Sequence, residues 1–159
     1  MIRTKQRMWI CLLLIVLNLA FIWVNSMLTR DISSALSKLV GKILSLFLSG
    51  PLSPAEGEGH GILRKVAHFT EFCTLGVLIS WHVRMLQLPK WSCYAVPILC
   101  CVVVAFIDET IQYFVPGRGP GFLDVTIDSA GGILGTLLLA YIAYRVSKVS
   151  KIQSEMKTE

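Results

Sequence analysis

Arg64, His68 and Glu71 recur at i, i+4 and i+7, so a helix over this stretch carries a guanidinium, an imidazole and a carboxylate on one face, with Lys65 beside them. A second group, Asp108-Glu109-Thr110-Ile111-Gln112, puts Asp108 and Gln112 on a common face with Glu109 at its flank. Arg118 follows in the turn Pro116-Gly117-Arg118-Gly119-Pro120-Gly121, and a third group begins at Asp124 and Asp128. Asp124, Asp128, Gly131 and Gly135 form one helical stripe. Imidazole beside carboxylate is the apparatus of general acid–base chemistry, which makes His68, Glu71, Asp108 and Glu109 the catalytic candidates. Arginine and lysine match the oxygens of a phosphate. Carboxylates gathered this closely repel, so some must be protonated, paired with Arg64 or Arg118, or bound to a divalent metal. The ligand types suit such an ion, although no His-Glu-x-x-His spacing accompanies them.

Each of these residues also has a plainer reading. Arg64 and Lys65 can snorkel to lipid headgroups. His68 with Glu71 can lock two helices together, and Asp108, Glu109 and Arg118 can form a structural ion-pair network. Asp124 can serve as the N-cap of its helix. His60 and His82 read as solvent or interface residues. Five carboxylates, a histidine and two arginines nevertheless exceed what a chain of this size needs for packing.

The elements that must position these groups are apolar. Hydrophobic residues make up 54% of the 159 residues and charged residues 16%, where soluble domains carry about a quarter. The apolar residues fall in long blocks that do not alternate in polarity, which excludes barrel strands and predicts an all-α polytopic membrane protein. The blocks place about four transmembrane helices at 8–27, 63–81, 94–114 and 125–145 of a single membrane domain. Residues 32–48 have helical apolar spacing with serines and Lys38 opposite, the pattern of an amphipathic helix that lies in the membrane interface or packs on the bundle's outer surface. The first block follows Arg3, Lys5 and Arg7, and only Val24-Asn25-Ser26 approaches a cleavage signal, so it reads as an uncleaved helix.

Helix two starts on the side where helix three ends and helix four begins, so the polar groups lie within about two turns of one membrane face. Charged side chains at membrane depth cost about 2.5–3.5 kcal/mol each on insertion scales, which marks them as functional candidates. Basic residues near the segment ends favour both termini in the cytoplasm and put the polar face outside. The net charge of +5 belongs to these membrane-flanking positions; no basic-aromatic platform for nucleic acid is present. The five cysteines show no metal spacing and form no even disulfide set.

The elements Arg64-Lys65-x-x-His68-Phe69-x-Glu71-Phe72, Asp108-Glu109-x-x-Gln112, Pro116-Gly117-Arg118 and Asp124-Val125-x-x-Asp128-Ser129-x-Gly131 together resemble the VanZ-like family, over about residues 63–141. The resemblance implies a multi-pass protein of the bacterial cytoplasmic membrane in a family linked to teicoplanin resistance. On that footing the polar face is expected to recognise an anionic lipid or lipid-linked wall-precursor headgroup through Arg64, Lys65 and Arg118. The remaining polar residues would orient those cations or bind sugar and amine groups. Two alternatives are a membrane enzyme acting on a lipid-linked substrate and a structural partner in a membrane complex.

Overall fold

The computed structural model describes residues 2–29, 32, 35, 39, 59–118 and 121–156. Among them stand four long α-helices and no strand: α1 (Ile2–Met27), α2 (Gly59–Met85), α3 (Ser92–Tyr113) and α4 (Phe122–Glu155). The all-α expectation is met. Of the expected amphipathic stretch, Ile32, Ala35 and Leu39 are helical and exposed, and its other residues lie outside the described ones. Each long helix runs past its apolar block, most of all α4, which continues ten residues beyond Arg145 to Glu155.

Three helices contain segments long and apolar enough to cross a bilayer: Thr4–Met27, Ser92–Tyr113 and Phe122–Glu155. α2 has the length, at 27 residues, but carries Arg64, Lys65, His68, Glu71 and His82, which lower its mean hydropathy. Of these, His68 is buried against neighbouring helices, as is Ser80 further along. A hydropathy average therefore undercounts a helix whose polar side faces protein rather than lipid.

α2 packs against all three other helices, while α1 and α4 each pack on the α2–α3 pair from either side. The apolar core is small: Ile22, Phe72, Leu75, Cys101, Ala105 and Val125, with Ile15, Leu19, Trp23, Ile79 and Val104 around it. Much apolar surface points outward instead, including Leu13, Leu17 and Phe21 on α1, Leu99 and Phe106 on α3, and Leu134 and Leu138 on α4. Ser26, His68, Asp108, Gln112, Asp128 and Thr136 point inward and are buried. An apolar exterior around polar interior positions is stable in lipid and aggregates in water, which makes this a membrane protein.

Small residues set how closely α4 approaches its neighbours. Gly131 and Gly135 lie against the α2 backbone at Phe69 and Cys73, and Gly132 lies against Cys101 of α3 and faces Gly76 of α2. The G-x-x-x-G spacing thus sits at a true backbone-to-backbone contact. A Cβ on Gly135 would collide with the Cys73 carbonyl, which belongs to a helix and has no freedom to rotate away. Alanine is the better helix former by about 1 kcal/mol, yet Gly135→Ala should destabilise the bundle by about 1–3 kcal/mol through overpacking. Thermal unfolding in mild detergent measures this; a stabilised variant would show that the seam is looser than described.

Candidate functional site

The last turn of α1, the first three turns of α2, the last turns of α3 and the first turns of α4 meet at one end of the bundle. Antiparallel packing of successive helices brings them there, and all ten polar residues singled out in the sequence lie in this region. Asp108 occupies its centre and is fully buried. Ser26 Oγ donates to Asp108 Oδ1 at 2.5 Å, and Gln112 Nε2 donates to Asp108 Oδ2 at 2.7 Å from one turn further along α3. His68 Nδ1 stands 3.9 Å from Asp108 Oδ2 and 4.0 Å from Glu71 Oε2, beyond hydrogen-bond reach of either. Glu71 is held instead by α1, where Asn25 Nδ2 donates to Oε1 at 2.8 Å.

The outer layer is charged. Lys65 Nζ lies 3.2 Å from Asp124 Oδ1, and Arg64 Nη2 lies 3.9 Å from Asp124 Oδ2, so one carboxylate from α4 bridges two cations from α2. Asp124 is not the N-cap of α4: that position is Gly121, with no side-chain cap, and Asp124 sits in the first turn with its carboxylate turned to α2. Glu109 accepts a hydrogen bond from the Gly121 N–H, fastening the end of α3 to the start of α4. The intervening turn is made possible by Gly117, whose φ of 81° is the left-handed conformation glycine adopts freely.

The plainer reading of Arg118, an ion-pair network with the carboxylates of α3, is not what forms: among the described residues it makes no ion pair. Nη2 donates to the backbone carbonyl of Asn25 at 3.2 Å, while Nε and Nη1 are buried without a partner. Burial first, and the nearby Arg64 second, push its pKa below the ordinary guanidinium value, with Asp108, Glu109 and Asp124 acting in the opposite direction.

Asp128, 3% exposed, lies behind Asp124 on the same stripe of α4. No hydrogen bond or ion pair to Asp128 is formed among the described residues. It lines a cleft together with Arg64, Lys65, His68, Gln112, Asp124 and Ile127. The enclosed space is about 10 Å³, room for about one water-sized species beneath the charged rim.

Two site residues escaped the sequence reading: Asn25 and Ser26, which entered it only as part of a weak cleavage signal. The available signal was their position. Two adjacent polar residues in the last turn of an apolar helix, on the end where helix two begins, are placed to reach the same cluster. His82 lies fourteen residues along α2 from His68, about 21 Å at the helical rise, and takes no part. The five cysteines are free, with Cys11, Cys93 and Cys101 buried.

Four helices that are apolar outside and polar at one inner end define a small helical membrane protein with a buried polar site. The chain belongs to the VanZ/LLP1 family, whose family model matches residues 8–144. Membership is consistent with a cell-envelope protein linked to glycopeptide resistance. No curated protein and no solved structure matches the chain.

If Ser26 fixes Asp108, Ser26→Ala should cost about 1–3 kcal/mol, the range for a lost hydrogen bond to a buried acceptor. A double-mutant cycle of Ser26→Ala with Asp108→Asn, read by thermal unfolding in detergent, should give a coupling energy of about 1 kcal/mol or more. Additive effects would show that the 2.5 Å contact carries no energy.

Proposed function

We propose that this protein recognises an anionic lipid or lipid-linked wall-precursor headgroup at the outer face of the bacterial cytoplasmic membrane. The observation that carries the reading is Arg118, a half-buried cation with two buried guanidinium nitrogens unsatisfied, at the end of the bundle where Arg64 and Lys65 rim a cleft. Two cations, Arg64 and Lys65, share the carboxylate of Asp124, and Arg118 forms no ion pair among the described residues. Phosphate supplies the missing acceptors, and charge-assisted hydrogen bonds to it are among the strong ones. Glu109, Gln112 and Glu71 orient the helices that hold the cations.

In this reading all four helices cross the bilayer and both termini are cytoplasmic. Support comes from the other end of the bundle, where Lys5, Arg7, Arg84, Lys90, Arg145, Lys148 and Lys151 gather, as cytoplasmic flanks require. A headgroup site on the outer leaflet would let the protein modulate glycopeptide susceptibility by binding the precursor that these antibiotics target.

The placement of His68 favours a second reading, a membrane enzyme acting on a lipid-linked substrate. Its Nδ1 is free, buried and flanked by Asp108 and Glu71, the surroundings of a general base. Turnover of a lipid-linked substrate that disappears in His68→Ala would select this reading.

The test of the first reading is binding of phosphatidylglycerol-containing nanodiscs or vesicles against phosphatidylcholine controls, with wild-type and Arg118→Ala protein. The expected result is selective binding that falls about tenfold or more in the variant, the loss of about 1.4 kcal/mol or more of charged hydrogen bonding. Selectivity that survives Arg118→Ala unchanged would sink it and leave the membrane enzyme and a structural partner in a membrane complex as the remaining readings.

A further inference from the structure

We infer that His68, Asp108 and Asp128 form a binding site for one divalent first-row transition ion, Zn2+ or Mn2+, at the floor of the cleft. Each of the three offers a ligand atom, and these atoms all lie within 4.8 Å of one another. They come from three different helices, α2, α3 and α4, so the site exists only in the assembled bundle. Ligands around such an ion stand about 2.0–2.2 Å from it and hence about 3–4 Å from each other. The observed 3.9 Å between His68 Nδ1 and Asp108 Oδ2 is too long for a hydrogen bond and within the span that two ligands of one ion adopt.

Two observations besides proximity point to a cation. Asp128 is 3% exposed, lines the cleft, and forms no hydrogen bond or ion pair among the described residues. His68 is 8% exposed, and its Nδ1 is buried without a partner. A buried carboxylate and a buried imidazole nitrogen with nothing bonded to them each carry a desolvation cost, and a shared cation removes both at once. The third ligand is already oriented as metal-binding carboxylates are: Ser26 and Gln112 hold the two oxygens of Asp108 from outside the triad.

The ligand set selects the ion. One imidazole with two carboxylates suits Zn2+ or Mn2+ better than Mg2+ or Ca2+, which take oxygen ligands. Three protein ligands would leave a four-coordinate ion one position for water or a ligand oxygen. His68 and Asp128 line the cleft, whose space of about 10 Å³ holds about one water-sized species. This inference stands apart from the headgroup reading, which rests on the rim cations.

The experiment is a titration of chelator-treated full-length protein in detergent with Zn2+ and with Mn2+. It is followed by isothermal calorimetry and by elemental analysis after desalting, for wild type, His68→Gln, Asp128→Asn and Arg118→Ala. One equivalent of Zn2+ or Mn2+ per chain should bind wild type, raise its unfolding temperature, and lose affinity tenfold or more in both His68→Gln and Asp128→Asn. Retention of helical circular dichroism by Asp128→Asn shows that the loss is not unfolding. Arg118→Ala should keep the ion while losing the anionic lipid, which separates the two proposals. Absence of saturable binding by wild type, or equal affinity in Asp128→Asn, overturns the site.

Discussion

The structure turns on a carboxylate, Asp108, buried completely inside a bundle whose exterior is apolar. A carboxyl group withdrawn from water costs several kcal/mol unless its oxygens are bonded, so the surrounding chain must supply donors at that depth. It does so from two directions: Ser26 at the end of α1 and Gln112 one turn along α3. The requirement fixes more than two contacts. Ser26 can reach Asp108 only if α1 packs on α3 with its last turn level with the end of that helix. Asn25, the next residue back, then meets Glu71 of α2 and presents its carbonyl to Arg118. The first helix, which reads as a simple anchor, thereby becomes a wall of the site.

The second constraint is distance. Asp124 and Asp128 are useful to α2 only if α4 comes close enough for its short side chains to reach Lys65 and His68. Glycine provides that approach at 131 and 135, one helical stripe further along, where α4 rests on the backbone of α2. Because 124, 128, 131 and 135 share one face, the seam that brings the helices together also aims the carboxylates. Packing and chemistry are therefore encoded in the same stripe. A substitution at Gly135 should disturb the aspartates two turns away as well as the fold.

Much of this was legible in the chain. Long apolar blocks place the helices, since nothing else satisfies a backbone in lipid. Charged residues within them mark the site, because chance does not keep them there. Three things were harder. Asn25 and Ser26 are small polar residues at the end of an apolar run, and that composition serves a cleavage site, a helix end and a ligand shell equally well. Arg118 looked like a partner for Asp108 and Glu109 on grounds of charge, but the Asn25 carbonyl and the Gly121 amide engage the groups that such a network would have used. Asp124 has the residue type of a cap, but it sits three residues past the cap position Gly121, and its carboxylate meets Lys65. In each case the deciding contact comes from another helix, which spacing along one helix cannot express.

In the metal-site proposal Asp128 is kept for binding rather than for holding the helices together, whereas Asp108 does both. The decisive measurement is the thermal stability of chelator-stripped, delipidated Asp128→Asn against wild type. A buried carboxylate without a partner destabilises the empty fold, so its replacement by a neutral amide of the same shape should leave stability unchanged or raise it. A loss of about 2 kcal/mol or more in the stripped protein would contradict the account and make Asp128 a structural element of the bundle.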